Sequence, residues 1–223
     1  MRKEIDAVAF DLDGTLYPNY RFYARLIPFV LKEHRLLTAM GKARDVLRKE
    51  DHKGHFYDHQ ARIMAEILND DPALIKNKTE KLIYRGWEPL FKKIKLFPYV
   101  HETLKGLKES GLKLGLLSDF PPELKIEYLG LNGYWDTVLC SEELDHLKPD
   151  PASFLKLSEL LQVPPDRILY VGNSISYDII GAKGVGMKTA LIRSRFKRTV
   201  SKRDGGADFV FTKYQQLYSY ILG

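Results

Sequence analysis

The sequence predicts an α/β protein in which a helical segment is inserted into a doubly wound parallel β-sheet. From about residue 96 onward, short apolar runs alternate with helical patterns, as is typical of βαβ units. The interval 18–95 has several helical stretches and no convincing strand, and it is too long for a connection within one sheet. We therefore predict a core formed by residues 1–17 and 96–223, with a helical insertion formed by residues 18–95.

Six short apolar runs are predicted to be the strands of this sheet. The first, residues 5–11, is largely apolar and ends in carboxylates, which is typical of a buried parallel strand whose carboxyl end carries chemistry. The same pattern recurs five times, more weakly in the last two runs. The later runs are residues 113–118, 136–140, 168–172, 188–192 and 208–211.

The predicted helices lie between these runs, and proline and glycine mark their ends. Asp71-Pro72 and Asp150-Pro151 are good helix starts, because proline is favoured at the first helical position. Gly111, Gly130 and Gly186 stand where helices are expected to end. The predicted core helices are residues 99–109, 121–129, 151–162 and 176–185. Those of the insertion are residues 20–49, 56–69 and 72–85.

The composition is that of an ordinary folded protein, with 44% hydrophobic and 29% charged residues. No apolar run approaches the ~18 residues that a membrane span needs, and the segment after Met1 lacks the features of a signal peptide. The single cysteine, Cys140, excludes an internal disulfide and suits a reducing compartment. These features predict a cytoplasmic protein without a membrane partner.

The net charge of +6 leaves three interpretations: nucleic-acid binding, binding of small anions, or no specific partner. Most basic residues are spread along predicted helices, as on solvated faces. Residues 193–203 are an exception, but this stretch lacks interleaved aromatic residues beyond Phe196, so nucleic-acid binding is disfavoured. A solvated loop that also attracts an anionic substrate is favoured. Its basic residues are Arg193, Arg195, Lys197, Arg198, Lys202 and Arg203.

The strongest chemical signal is the segment Asp11-Leu12-Asp13-Gly14-Thr15-Leu16 at the end of the first predicted strand. Carboxylates two residues apart leave a strand end on the same side. One can act as a nucleophile while the other transfers a proton, and together they can hold a hard cation. A surface turn can have the same sequence. An EF-hand calcium loop is excluded, because Tyr17 and Phe22 stand where further ligands are needed.

Polar residues also follow three later predicted strands. The run 113–118 ends in Ser118-Asp119, whose hydroxyl can bind a phosphate oxygen, although this pair is common in turns. Lys148 stands just before a predicted helix, where a lone lysine is more often a surface residue. Asn173 closes another strand, and Asp178 enters the helix that follows it.

Taken together, in this order and on these strand ends, the motifs resemble those of the haloacid dehalogenase-like hydrolase superfamily, in its phosphatase branch. The resemblance spans residues 5 to about 192. It implies a Rossmann-like core and identifies residues 18–95 as the helical cap of the family's first (C1) type. It also implies magnesium-dependent hydrolysis of a small phosphorylated metabolite, such as a sugar phosphate, a nucleoside monophosphate or a glycolate-type phosphate.

The resemblance implies a role for each motif residue. Asp11 would attack phosphorus and form an aspartyl phosphate, while Asp13 would protonate the leaving alcohol and then deprotonate the hydrolytic water. Ser118 and Lys148 would bind phosphoryl oxygens, and Lys148 would also neutralise the nucleophile. Asp119, next to Ser118, is assigned to the same phosphate site.

Magnesium (Mg²⁺) is implied at Asp11, Asp13, Asn173 and Asp178. The family usually has Asp where Asn173 stands, and an amide oxygen adds no charge, so weaker Mg²⁺ binding is expected. Conversely, Asp119 replaces a residue that is usually neutral. We hypothesise that its charge partly offsets the loss at Asn173.

Other functions share this scaffold. A dehalogenase needs an aspartate nucleophile but neither a metal nor a second acid, and in that branch the position of Asp13 is not acidic; Asp13 therefore favours phosphate chemistry. A phosphomutase, or a weakly active phospholigand-binding protein that has lost metal binding at Asn173, remain as alternatives.

Several residues near the predicted cap can reach a substrate. Tyr17, Asn19 and Tyr20 directly follow the catalytic turn and are predicted to gate the site or seal it from water. Four further side chains are expected instead to be structural or exposed. They are Arg25, Arg44, Arg85 and Trp87.

Overall fold

A computed structural model describes residues 4–49, 55–193 and 204–223, and places a six-stranded sheet at the centre of the protein. All neighbouring strands are parallel, in the order β3-β2-β1-β4-β5-β6. The α/β, Rossmann-like fold class predicted from the sequence is therefore confirmed. Each strand lies within a predicted run. The strands are β1 (Ala7–Phe10), β2 (Lys113–Ser118), β3 (Thr137–Cys140), β4 (Ile168–Gly172), β5 (Lys188–Ile192) and β6 (Phe209–Phe211).

The central strand β1 is completely buried, because helices cover both faces of the sheet. Val8 and Phe10 belong to one hydrophobic cluster and Ala7 and Ala9 to another, as the alternation of side chains along a strand requires. This packing fixes the direction in which the strand ends. Asp11, the next residue, therefore emerges at the carboxyl edge of the sheet.

Four core helices lie close to the predicted ranges, and a fifth, α9, was not predicted. Asp150 begins α7 by accepting a hydrogen bond from the Ala152 N–H (2.8 Å), and Gly111, just after α5, has a positive φ of 85°. The predicted helix 176–185 is divided into a π-helical turn, Ile175–Ile179, and α8. The core helices are α5 (Val100–Glu109), α6 (Glu123–Tyr128), α7 (Pro151–Leu161), α8 (Ile180–Gly184) and α9 (Tyr214–Leu222).

Between β1 and β2, the described chain forms helices and no strand; residues 18–95 are called here the inserted helical segment. It has a hydrophobic cluster of its own, which includes Leu36, Met40, Met64 and Ile83. Its helices are α1 (Asn19–Leu47), α2 (Phe56–Leu68), α3 (Pro72–Thr79) and α4 (Arg85–Trp87), with a π-helical turn at Glu80–Tyr84 and a 3₁₀ turn at Glu88–Lys93. The exact limits of this segment as a separate domain stay a prediction.

Two sequence expectations concern surfaces rather than the core. Of the basic stretch 193–203, only Arg193 lies within the described residues. Within the described parts of the chain, we find no helix both long and apolar enough to cross a membrane.

Candidate active site

Asp11 is held at the end of β1 by contacts on both carboxylate oxygens. Its N–H donates to the Val171 carbonyl (2.9 Å) and so continues the pairing of β1 with β4. Oδ1 accepts a hydrogen bond from Lys148 Nζ (2.7 Å), and Oδ2 accepts one from Thr15 Oγ1 (2.7 Å). Burial raises the pKa of Asp11 to about 7, although the Lys148 ammonium lowers it. The side chain is therefore oriented, and each oxygen keeps a lone pair for further chemistry.

Asp13 lies in a more open position than Asp11. Its side chain is 28% exposed, against 8% for that of Asp11. Oδ2 accepts from Lys125 Nζ (2.7 Å), and Oδ1 accepts a short hydrogen bond from the Tyr17 hydroxyl. A carboxylate that is fixed in place and still reaches the cavity suits proton exchange with a leaving group and with water.

Lys148 is the centre of a buried charge cluster. Its Nζ donates to Asp11 Oδ1 (2.7 Å), to Asp178 Oδ1 (2.8 Å) and to the Leu117 carbonyl (3.3 Å). Burial lowers the pKa of Lys148, but the two carboxylates outweigh it and raise the pKa well above its ordinary range. The side chain therefore keeps its positive charge beside Asp11.

Ser118 ends β2, the strand next to β1, and is completely buried. Its Oγ accepts a hydrogen bond from the Phe120 N–H (3.2 Å), which leaves the hydroxyl proton for an acceptor such as a phosphate oxygen. Ser118 does not itself line the cavity described below, whereas Asp119 and Phe120 do.

The Asp119 carboxylate accepts hydrogen bonds from groups that are not among the predicted metal ligands. Its Oδ1 accepts from Ser141 Oγ (2.6 Å) and from the Lys148 N–H (3.1 Å), and its Oδ2 accepts from Arg48 Nη2 (2.7 Å). Burial raises the pKa of Asp119, but Lys148 and the two arginines, Arg44 and Arg48, together lower it to about 2. Because two arginines balance this charge, the geometry does not support the hypothesis that Asp119 compensates for Asn173. It favours a different role, anchoring the loop that carries Lys148.

Asn173 and Asp178 are brought together by the turn after β4. Asp178 Oδ2 accepts from the N–H groups of Asn173 (3.1 Å) and Ser174 (2.9 Å). A Cβ on Gly172 would overlap the Asp178 side chain, so this approach requires glycine. Asp178 also accepts from Lys148 Nζ (2.8 Å) and lines the cavity, so it is held in place and its role as a metal ligand stays a prediction.

The remaining predicted metal donors fit Mg²⁺. Asn173 Nδ2 donates to the Asp13 carbonyl oxygen (3.1 Å), so the Asn173 amide and that carbonyl are close to one another, and Asp11 lines the same cavity. These groups offer oxygen ligands, which Mg²⁺ prefers together with waters and a substrate phosphate. Within the described residues, no cluster of three or more His, Cys, Asp or Glu side chains can hold a metal. This donor set therefore suits a cation that uses one or two carboxylates.

Asp11 and Asp13 line a cavity of about 720 Å³, to which the inserted helical segment contributes much of the wall. Tyr17 and Asn19 line it as predicted, but Tyr20 does not and is 66% exposed. The inserted segment also contributes Phe22, Tyr23, Leu26, Tyr57, Glu80, Ile83, Tyr84, Arg85, Trp87, Glu88 and Phe91.

Two arginines, one in α1 and one directly after it, join the inserted segment to the core. Arg44 forms a buried ion pair with Glu142, which follows β3. Arg48 donates from Nε to the Lys148 carbonyl (3.0 Å) and from Nη2 to Asp119. As expected for a structural role, Arg44 does not line the cavity, and Arg25, which binds the carbonyls of Arg21 and Lys93, does not line it either. Arg85 and Trp87 do line it, so sequence reasoning underestimated both.

Sequence reasoning missed Lys125 and gave no role to Thr15. Thr15 lies inside the Asp11–Leu16 motif and is completely buried, so its hydroxyl needs a partner, and this was an available signal. Lys125, on α6, is 112 residues from Asp13 in the chain, and no local pattern relates the two. Tyr17 was predicted to gate the site, but its hydrogen bond to Asp13 was not.

Comparison with known proteins agrees with this arrangement. The family model described as haloacid dehalogenase-like hydrolase matches residues 5–186. The chain belongs to the haloacid dehalogenase-like hydrolase family. Two curated relatives of this hydrolase are phosphatases. Glyceraldehyde 3-phosphate phosphatase of Methanopyrus kandleri is 28% identical, with 97% of each chain covered, and phosphoglycolate phosphatase of Salmonella typhi is 30% identical, with 82% of this chain and 79% of the relative covered.

A solved structure supports the same assignment. The haloacid dehalogenase-like (HAD) phosphatase from Thermococcus onnurineus matches this hydrolase with a TM-score of 0.74 and 26% identity, over 98% of this chain and 99% of that one. The protein is accordingly a phosphatase of this family, as the sequence motifs predicted.

Proposed function

We propose that this phosphatase hydrolyses phosphomonoesters of small metabolites through an aspartyl phosphate on Asp11, with Mg²⁺ as its cofactor. The observation that carries the proposal is the pair of carboxylates. Asp11 is buried and oriented by Lys148 and Thr15, while Asp13 is held by Lys125 and Tyr17 and still reaches the cavity. The curated relatives, which are named for small phosphorylated metabolites, support the substrate class.

In the first step, a carboxylate oxygen of Asp11 attacks phosphorus, and the bond from phosphorus to the leaving alcohol breaks as Asp13 donates a proton to the alcohol oxygen. Lys148 offsets the negative charge of the nucleophile and of the phosphoryl group. The Ser118 hydroxyl donates to a non-bridging oxygen. Asp13 is left as a carboxylate, ready to act as a base.

In the second step, Asp13 takes a proton from a water molecule, whose oxygen attacks phosphorus. The bond between phosphorus and Asp11 breaks, which releases inorganic phosphate and restores both carboxyl groups. Mg²⁺, held by Asp11, the Asp13 carbonyl oxygen and Asn173, would supply positive charge at the phosphoryl oxygens. The inserted helical segment, which we interpret as a cap, encloses the reaction and limits access of bulk water.

Carbon–halogen displacement is less well supported. It requires the Asp11 nucleophile but gives no task to a proton donor that is fixed by two hydrogen bonds, as Asp13 is. We therefore expect no halide release from 2-chloropropionate.

The test is hydrolysis of p-nitrophenyl phosphate by wild-type protein and the Asp11→Asn variant, with Mg²⁺ and with EDTA. We expect turnover that requires Mg²⁺ and is lost in the variant, because an amide is not a nucleophile at phosphorus. After rapid acid quench, the wild-type peptide that contains Asp11 should carry one additional phosphoryl group, detected by mass spectrometry. Turnover that persists in EDTA or in the variant would contradict the proposal.

A further inference from the structure

We propose that the alcohol part of the substrate carries an uncharged aromatic or heteroaromatic ring, which binds against Tyr84, Trp87 and Phe120. The inference rests on the proposed phosphomonoesterase function and narrows its substrate class. It departs from the curated relatives, which are named for small, non-aromatic phosphates.

The rings of Tyr84, Trp87 and Phe120, called here the aromatic wall, lie next to the proposed reacting atoms. Lys125 Nζ lies 2.7 Å from Asp13 Oδ2 and 5.2 Å from the ring centroids of both Phe91 and Phe120. The ring centroids of Phe120 and Trp87 are 6.5 Å apart. In the proposed mechanism Asp13 protonates the leaving oxygen, so the group attached to that oxygen lies in the cavity that Asp13 and these rings line together.

Three of the rings offer surface to a ligand. Tyr84, Trp87 and Phe120 line the cavity and are half-buried, whereas Phe22 and Phe91, which also line it, are buried. Aromatic side chains contribute large apolar area, and rings that stack on one another add to it. The wall therefore matches a flat ring better than a short hydroxy acid or a sugar alone.

These rings are also held in place before any ligand binds. The Tyr84 hydroxyl donates to Glu142 Oε1 (3.1 Å) and accepts from Gln60 Nε2 (3.1 Å). Trp87 packs edge-on against Phe22, with centroids 5.5 Å apart, and the Arg44 guanidinium lies 4.1 Å from the Phe120 centroid. A rigid wall binds a ring without the loss of side-chain freedom that ordering it would require.

The size of the cavity agrees with a larger leaving group. Its volume of about 720 Å³ falls within the ~300–1,000 Å³ of sites that enclose drug-sized ligands. A two- or three-carbon phosphate would leave much of this apolar surface uncovered. A phosphate ester that carries a ring would cover it.

The charges of the lining indicate that the ring is not anionic. Among the lining residues that the structure describes, three carry positive charge, and each is already paired with a carboxylate. Lys148 is paired with Asp11, Lys125 with Asp13, and Arg85 with Glu80 (2.8 Å). Glu88 also contacts Arg85 (3.0 Å), and Glu123 and Glu143 add two further carboxylates to the lining, so acidic groups are in excess. A carboxylate or second phosphate on the alcohol would meet repulsion there.

The test compares kcat/KM for adenosine 5′-monophosphate and ribose 5-phosphate on the same Mg²⁺-loaded enzyme preparation. The two substrates share the same primary alcohol and differ in the heteroaromatic base. Stacking of the base on an aromatic side chain strengthens binding, so we expect the nucleotide to be favoured about tenfold. Pyridin-3-ylmethyl phosphate, whose ring is uncharged at neutral pH, distinguishes a pyridine ring from a nucleobase, and either ring being favoured over ribose 5-phosphate supports the proposal.

Variants show whether the aromatic wall causes the preference for the ring-bearing substrate. Trp87→Leu and Phe120→Leu should each lower the ratio of the two kcat/KM values several-fold. Phe209→Leu is the matched control, because Phe209 stacks on Tyr220 between β6 and α9 and does not line the cavity; its ratio should not change. The ratio does not depend on the fraction of folded enzyme, so a partly unfolded variant remains informative.

The proposal is overturned if neither ring-bearing phosphate is preferred or if 2-phosphoglycolate has the highest kcat/KM. It is also overturned if Trp87→Leu and Phe120→Leu both have the same ratio of kcat/KM values as the wild type. These results leave the proposed function intact as long as Asp11-dependent phosphate release is observed. Absence of Asp11-dependent release from every phosphate ester would instead refute the proposed function itself.

Discussion

Two hydrogen bonds orient the Asp11 carboxylate, one from Lys148 and one from Thr15. The first is a contact between motifs that resemble those of the family, whereas the second comes from the turn that directly follows Asp11. Thr15 is completely buried there, and its N–H donates to the Leu12 carbonyl (3.3 Å). The turn therefore does more than reverse the chain, since it also orients the proposed nucleophile.

Replacing Thr15 with Val should remove this hydrogen bond while keeping the shape of the side chain. Hydrogen bonds to charged groups contribute ~1.5–3 kcal/mol, so we expect kcat/KM to fall about 10- to 100-fold. Thr15→Ser, which keeps the hydroxyl, should retain most of the activity. Steady-state kinetics with p-nitrophenyl phosphate measures both, and full activity in Thr15→Val would show that the bond does not position Asp11.

Replacing Asn173 with Asp should change metal binding in a defined direction. A carboxylate adds charge where the amide has none, so the Mg²⁺ concentration for half-maximal activity should fall several-fold. Without Mg²⁺, the same carboxylate would lie beside the Asp13 carbonyl in place of the amide N–H, so the Tm of the metal-free variant should decrease. Measuring activity and Tm at increasing Mg²⁺ concentrations tests both expected changes. An unchanged Mg²⁺ requirement would remove Asn173 from the proposed metal ligands.

At the scale of elements, the connection after β2 and the loop before α7 meet at Asp119. Its carboxylate accepts from Ser141, from the Lys148 N–H and from Arg48, which directly follows α1. Three elements that are far apart in the chain thus fix the backbone that presents the Lys148 ammonium to Asp11. An acidic residue at this position has a positioning task that is independent of the metal.

The low pKa of Asp119 predicts how stability depends on pH. The pKa of Asp119 in the folded protein, about 2, lies below the ordinary 3.8, so folding favours the ionised form. The ionised carboxylate therefore contributes fully to the free energy of unfolding above about pH 4–5, and this contribution is lost as the pH falls through about 2. Asp119→Asn should therefore lower the free energy of unfolding by about 2 kcal/mol at pH 7, and by progressively less below pH 4.

Urea unfolding of both proteins between pH 2.5 and 7 checks this expectation. A difference that stays constant across this range would contradict it. The Mg²⁺ requirement for activity should be the same in both proteins, because Arg44 and Arg48 already balance this charge.

At the scale of the whole molecule, the inserted helical segment is joined to the core by a buried ion pair between Arg44 and Glu142. Burial raises the pKa of Glu142 to about 7 even though Arg44 lowers it, so the carboxylate depends on its partner to stay charged. The Tyr84 hydroxyl also donates to this carboxylate. The segment that encloses the cavity is thus coupled to the core next to the Lys148 loop.

Removing one member of this pair should destabilise the protein more than removing both. Arg44→Met leaves a buried carboxylate unpaired, and breaking such a pair typically lowers the free energy of unfolding by ~3–5 kcal/mol. Adding Glu142→Leu should recover much of this loss, because the unpaired charge is then gone. Urea unfolding of the two single variants and the double variant measures the coupling. Strictly additive effects would show that the two charges do not depend on each other.

The sequence by itself determined the features that depend on local periodicity. The apolar run of β1 fixed a buried strand that ends at Asp11, and the spacing of Asp11 and Asp13 placed both carboxylates at the same edge of the sheet. Asp150-Pro151 likewise fixed the start of α7. In each case the signal is local, because strand alternation and helix capping involve residues that are close together in the chain.

Only the tertiary structure decided which distant side chains complete the site. Lys125 reaches Asp13 across 112 residues, and Arg48 reaches Asp119 across 71. Both contacts depend on how α6 and α1 pack against the sheet, and no local pattern encodes that packing. The aromatic wall was also absent from the sequence analysis, because Trp87 and Phe120 come together only when the inserted helical segment closes over the carboxyl edge of the strands.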